Sequence, residues 1–225
     1  MSTDLTHWAG APEPARQTLE GHYARLEPLD PARHAAELLH SALEPGADER
    51  FRYLPEATPD AATFRTWIEN AALSADPMFF AVIDRATGRA EGRQALMRIT
   101  PQHGVIEIGH ILWGPAIART RVTTESVYLL ASYVFDTLGY RRFEWKCNAL
   151  NAPSRRAAER FGFRFEGIFR NHMVVKGQNR DTAWFAMTDS DWPRIRQGFT
   201  AWLRAENFDQ DGQQHTRLNC TGTTP

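Results

Sequence analysis

The sequence predicts an α+β domain of mixed α/β character. Two observations carry that reading. Between residues 78 and 113 three strand-like runs follow one another with only short turns between them, an antiparallel meander. After residue 118, helical and strand-like runs alternate, the pattern of βα units.

The elements follow in order. Residues up to about Leu19 are polar and contain prolines, which reads as an arm or irregular lead-in. "YARLEPL" alternates as a strand does. "DPARHAAELLHSAL" opens with Asp30 as N-cap and Pro31 at the first helical position, and "TPDAATFRTWIENAAL" repeats that grammar. "PMFFAVID", "AEGRQALMRI" and "VIEIGHILW" form the meander, broken by "ATGR" and "TPQHG". The helix "TESVYLLASYVFDTLG" ends at Gly139, a C-terminal cap. "RRFEWKCNAL" is a strand, "NAPSRRAAERFG" a short helix, and "FRFEGIF" and "DTAWFAMTD" two more strands. "SDWPRIRQGFTAWLRAE" is a last helix, and the polar stretch from Asn207 reads as a mobile tail. The expected organisation is an arm over 1–18, one domain over 19–206 and a tail over 207–225.

Composition narrows the function classes. A hydrophobic fraction of 42% over 225 residues can bury a core, and a net charge of -1 gives no general bias toward nucleic acid or membrane. The charge is uneven. Residues 119–180 carry 12 Lys and Arg against 5 Asp and Glu, so this stretch is +7 and the remainder -8. That pattern fits a local anionic ligand, and equally a solvated charged face. Cys147 and Cys220 have neither metal nor redox spacing. Cys147, in an apolar strand, reads as a buried free thiol, so a reducing cytoplasm is expected. No signal peptide and no membrane-spanning run is read.

Phosphate-loop, dinucleotide-binding, nucleophile-elbow and zinc-protease motifs are all missing from the sequence. His34 and His40, six apart, do not share a helix face for one metal ion. What remains is the centre. A strand carries Glu107 and His110, and the junction "ARTRVTTES" (118–126) runs from it into a helix. A helix N-terminus offers free N–H groups and partial positive charge, to which Arg119 and Arg121 add full charges. Thr123 and Thr124 can cap the helix. Val122 stands where close backbone approach to phosphate usually wants glycine, and Glu125 repels an anion if it faces one. On these features a phosphate cradle and a plain capped connection stand even. In a regular strand His110 points away from the face of Glu107.

One strand later comes "NALNAPSRRAAERFGFRFEGIFR". With Asn151, Ser154 and the following "FEGIFR", this stretch resembles the GNAT superfamily of N-acetyltransferases, and within it the branch of bacterial ribosomal-protein N-terminal acetyltransferases. The resemblance implies a mostly antiparallel, splayed sheet of about seven strands flanked by helices. It implies acetyl-CoA in the gap between the family's fourth and fifth strands, with no metal. Carried over by position, Arg119, Thr120, Arg121, Val122, Thr123 and Thr124 fall on the family's pyrophosphate loop, where Val122 and Thr124 depart from the small residues expected. Ile111, Leu112 and Trp113 fall on the family's fourth strand, at a bulge whose backbone groups pair with pantetheine, and Asn151 on the asparagine that contacts it. Ser154 falls near the thiol, as general acid. Glu107 resembles the family's strand glutamate and is the first candidate base, with Asp181 the second. Of Arg155, Arg156 and Arg160, one phosphate contact is expected, from Arg155 or Arg156. Aromatic residues Phe79, Phe80, Trp145 and Trp184 read as packing. The implied partners are acetyl-CoA and an amine, a protein N-terminus or a small molecule. Neither nucleic acid nor membrane is expected, and the final helix and the arm before Leu19 could support a homodimer, which the sequence does not decide. Acidic residues Glu44, Asp48 and Glu49 suit a cationic acceptor. The competing reading is a degenerate acyl-CoA sensor without turnover, supported mainly by Val122.

Overall fold

The computed structural model describes residues 4–220. Eight strands form one sheet in the order β1-β2-β3-β4-β5-β6-β8-β7. In chain order these are β1 (Leu19–Glu20), β2 (Ala24–Pro28), β3 (Met78–Asp84), β4 (Ala90–Thr100), β5 (Val105–Trp113), β6 (Arg142–Asn148), β7 (Arg164–Val175) and β8 (Gln178–Thr188). The strand beyond the expected seven is β1, a two-residue arm of the first hairpin. Every pairing is antiparallel except β5 with β6.

That exception shapes the site. β5 and β6 pair only from Val105↔Arg142 to Ile108↔Trp145. Beyond this point β5 follows β4 and β6 follows β8, so the sheet splays into a wedge. The parallel pairing is what the intervening helix demands, since parallel neighbours need a crossover connection.

Helices α1 (Pro31–Leu43) and α3 (Ala61–Leu73) cover one face of the β2–β5 half, over a core that includes Leu38, Phe64, Ile68, Phe79 and Ala95. The predicted starts hold. Asp30 accepts from Ala32 N at 2.9 Å, and Asp60 and Thr63 form a reciprocal capping box. A one-turn helix between them, α2 (Ala47–Phe51), was not expected, since five residues are too few to show a helical period. Helices α4 (Arg121–Ser132), α5 (Ala152–Arg160) and α6 (Trp192–Trp202) pack on the opposite face. There Ile106, Ile108, Phe143, Trp145, Phe185 and Phe199 form the main core. α4 runs on through a π turn to Gly139, whose φ of 67° glycine adopts without strain. No described helix is long and apolar enough to cross a membrane.

Both ends of the described residues are tied down. In the arm, Trp8 donates its indole N–H to Gln102 O at 2.8 Å and Ala15 N donates to Tyr133 Oη at 2.7 Å. The stretch from Asn207, expected to be mobile, instead packs on the domain as far as Cys220. Asn207 is buried and bonds to Trp202 O and to Thr216, Phe208 packs on Tyr23 and Trp202, and Cys220 lies in the core. A polar composition concealed a few anchors that are enough to hold it. Cys147 and Cys220 are both buried free thiols.

Candidate active site

The wedge opens at a bulge. Between Ala95↔Gly109 and Arg93↔Leu112 β5 spends one residue more than β4, and His110 takes a left-handed φ of 50°. The bulge turns His110 onto the face of Glu107, against Phe79 at 5.2 Å and beside Arg93, rather than away from it. Of the residues expected to pair with pantetheine, Ile111 and Trp113 side with the main core. Leu112 packs against Ala42 and Phe51 on the opposite face.

The 118–126 junction is built so that its side chains leave the helix end open. Arg119, not Val122, takes the left-handed conformation, with φ 65°. The cap is Thr120, whose hydroxyl accepts from Val122 N at 3.2 Å. Thr123 and Thr124, expected to cap, instead turn their hydroxyls back to Thr120 O at 3.1 and 3.2 Å. In the first turn such hydroxyls reach the preceding carbonyl more readily than the amides ahead of them. Val122 buries its side chain in the main core. Thr124 N is taken by Thr120 O at 3.4 Å, so the amides of Arg121 and Thr123 are the ones without a helical partner. Glu125 points the other way. Its carboxylate accepts from the backbone N–H of His22, Tyr23 and Ala24 at 2.9, 2.5 and 2.6 Å, so it faces the first hairpin and no anion.

In front of this helix end lies a groove of about 1060 Å³. Trp113, residues 118–123, Pro153, Arg160 and the 211–214 stretch line it. Two arginines flank it on aromatic supports. The Arg121 guanidinium sits 4.5 Å from the Tyr23 ring and 5.4 Å from Phe208. Arg160 sits 5.0 Å from Trp202 and 5.2 Å from Phe161, and donates to Thr124 Oγ1 at 3.0 Å. Arg155 is directed elsewhere, to Ala149 O at 3.4 Å and the Phe165 ring. Arg156 is exposed and outside the groove lining. Of the three arginines, Arg160 lines the groove, and Arg155 and Arg156 do not. A nine-residue helix starting at an asparagine turn leaves the arginine facing uncertain until its packing is known.

Next to the groove residue Pro153, Asn151 caps α5 by accepting from Ser154 N at 3.1 Å. Ser154 Oγ accepts from the Trp145 indole N–H at 3.0 Å. Burial pushes the neighbouring Cys147 thiol up in pKa, which keeps it a neutral thiol.

Across the sheet, Glu107 is buried in a chain of charges. It lies 2.9 Å from Arg98 and 3.1 Å from Lys146, and Lys146 reaches Glu144 at 2.7 Å. Burial raises the Glu107 pKa, against the opposing pull of Lys146 and Arg98. The Lys146 ammonium also stands 3.7 Å from the centre of the Trp184 ring, which places Trp184 in this cluster rather than in the core. Asp181 has a structural task. It accepts from Asn171 N and Asn179 Nδ2 at 2.8 and 2.9 Å, holding the irregular pairing of β7, and the Asn171 bond leads in lowering its pKa.

The α2 segment closes this side. Lys176 in the β7–β8 turn donates to Phe51 O at 2.8 Å, and Tyr53 donates to Leu150 O at 3.3 Å. Its acids are engaged locally, Asp48 with Thr58 and Glu49 with Arg52.

A model of the acetyltransferase (GNAT) domain matches residues 24–164, more than half of the chain. The chain belongs to the GNAT acetyltransferase family. A GCN5-related N-acetyltransferase from Brucella melitensis is 56% identical with a TM-score of 0.94, over 95% of this chain and 97% of its own. The N-acetyltransferase p20 of Bacillus licheniformis, itself uncharacterized, is 27% identical over 56% of this chain and 70% of its own length. An acetyltransferase from Salmonella typhimurium that modifies the N-terminal serine of a 50S ribosomal subunit protein shares the fold, at 17% identity. Its TM-score is 0.67, over 76% of this chain and 99% of its own. This GNAT chain is thus an acyltransferase with acetyl-CoA as co-substrate. Its residues suit that molecule: free helix amides and two arginines for phosphates, and a groove that runs toward a splayed pair of strands for the thioester arm.

Proposed function

We propose that this GNAT protein transfers the acetyl group of acetyl-CoA directly to a primary amine, with Glu107 as proton acceptor and Ser154 as proton donor. The observation that carries the reading is the position of these residues about the wedge. The groups proposed to bind the cofactor lie on the α4 face and Glu107 on the opposite face, an arrangement that suits donor and acceptor approaching from opposite sides.

The amine must lose a proton to attack the thioester carbonyl. Glu107, whose pKa burial raises against the pull of Lys146 and Arg98, accepts that proton directly or through one water. The C–N bond forms as the C–S bond breaks. The departing thiolate takes the Ser154 hydroxyl proton, which the Trp145 indole, only a donor, does not occupy and which otherwise faces the Cys147 thiol. Arg121, Arg160 and the amides of Arg121 and Thr123 bind the phosphates. Val122 lines the groove but packs most of its side chain into the core, so it presents little obstacle to this and lends no support to a non-catalytic sensor.

The test is CoA release from acetyl-CoA over amino-terminal peptides, amino acids, polyamines and aminoglycosides. A tight acetyl-CoA complex with no CoA release on any amine would sink the proposal.

A further inference from the structure

The Glu107 face of the β5–β6–β8 region holds one cation too many. Each of its carboxylates is taken: Glu107 by Arg98 and Lys146, Glu144 by Lys146 and Arg142, Glu166 by Arg142. Arg180 is left over. Among the described residues its side chain makes no ion pair, hydrogen bond or ring contact, and its Nε is buried without an acceptor. Register places it. Thr182 pairs with Asn148, the last residue of β6, so Arg180 lies two residues beyond that end, beside the mouth of the wedge. Strand alternation puts Arg180 on the same face as Trp184, and Trp184 lies opposite Lys146. Burial acts most on its charge, followed by the Cys147 thiol, Glu107 and Arg98, so it stands within electrostatic reach of the proposed base.

Two more polar atoms on this face are buried and unpartnered, Trp184 Nε1 and His110 Nδ1. A buried donor without an acceptor costs free energy. An Arg180 Nε–H left unmet at the mouth of the wedge is arranged for an anionic acceptor group. Its surplus positive charge disfavours a substrate with a second ammonium. The acids of the α2 segment, engaged with their own neighbours, do not reverse that balance.

We propose that the acceptor is an amine that also carries a carboxylate, and that Arg180 binds that carboxylate while the amine faces Glu107. This rests on the acetyl-transfer reading above. The carboxylate can belong to a free α-amino acid or to the acidic side chain of a peptide's first residue. Arg180 is then a specificity-determining residue, its planar fork suited to two oxygens.

The experiment measures kcat/KM for CoA release by the full-length protein on matched acceptors. One arm compares L-alanine with L-alaninamide, the other aspartyl-alaninamide with asparaginyl-alaninamide. The expected result is a preference of about 100-fold for the carboxylate in at least one arm, and the arm that shows it names the source. Arg180→Met should erase that preference and leave the rate on the amide partner and the acetyl-CoA melting shift unchanged. Arg180→Lys should restore part of it. Equal rates on carboxylate and amide in both arms would overturn the proposal while leaving acetyl transfer intact. A Met variant slowed equally on both partners would overturn it too, in favour of a role in the chemical step. No CoA release with any amine would overturn both this inference and the acetyl-transfer reading.

Discussion

The indole N–H of Trp145 donates to the hydroxyl oxygen of Ser154 across 3.0 Å, from the middle of β6 to the first turn of α5. The bond fixes the serine oxygen and leaves its proton to give. Ser154→Ala should therefore lower kcat about 10- to 100-fold with acetyl-CoA affinity nearly kept. Trp145→Phe keeps the ring packing and frees the hydroxyl, so it should lower kcat less. Single-turnover kinetics and binding titration separate these. An alanine variant with parental kcat would remove Ser154 from the chemistry.

Glu107 sets a pH dependence. Burial holds its pKa above the ordinary carboxylate value of 4.5, so it is protonated and unable to accept below that raised pKa. Activity should rise with pH through an inflection above 4.5. Glu107→Gln should lose that acidic limb along with about 100-fold in kcat. A glutamine variant with the same acidic limb would assign it to another group.

Phosphate binding should separate the arginines. Arg160→Ala and Arg121→Ala should each weaken CoA binding about tenfold, in line with loss of a charge-assisted contact. Arg155→Ala, whose guanidinium faces Phe165, should not. Isothermal titration with CoA decides it, and equal losses for Arg155 and Arg160 would refute the assignment.

Val122→Gly should still bind acetyl-CoA, because the side chain faces the core. The lost burial and the helical glycine should cost about 2–4 kcal/mol of stability. Thr124→Glu places a carboxylate at a site only 1% exposed, beside Arg160, and should abolish binding. Thermal melts with and without acetyl-CoA read both. If both variants bind as the parent does, the junction is not the cradle.

Glu125 ties the first hairpin to α4 through three amides. Glu125→Ala leaves buried donors unmet and should destabilise by at least about 3 kcal/mol, a fall of roughly 6–12 °C in Tm. A loss of under about 1 kcal/mol would mean that water replaces the carboxylate at no cost.

Local rules with short reach settled much from the sequence alone. Proline after aspartate fixed the start of α1 because Pro31 has no N–H to lose and Asp30 can cap. Alternation and turns gave the meander, and the "NAPSRR" stretch gave the family. Other features depend on partners far along the chain. Whether β5 bulges at His110 is decided by its pairing with β4, and that bulge alone moves the imidazole to the Glu107 face. The cap of α4 fell to Thr120 rather than Thr123 or Thr124, a choice between neighbouring hydroxyls that backbone angles make. Glu125 gave no local sign that it would meet residues 22–24, and the tail's few anchors were lost in its polar composition. The surplus of Arg180 could not be seen in a list of charges. It exists because the sheet brings Arg98, Lys146 and Arg142 to the same carboxylates and leaves the fourth cation without one. Sequence determined which groups are present and which short segments they fold into. The tertiary structure decided which charges cancel, because Coulomb pairing depends on distance in space and not on separation along the chain.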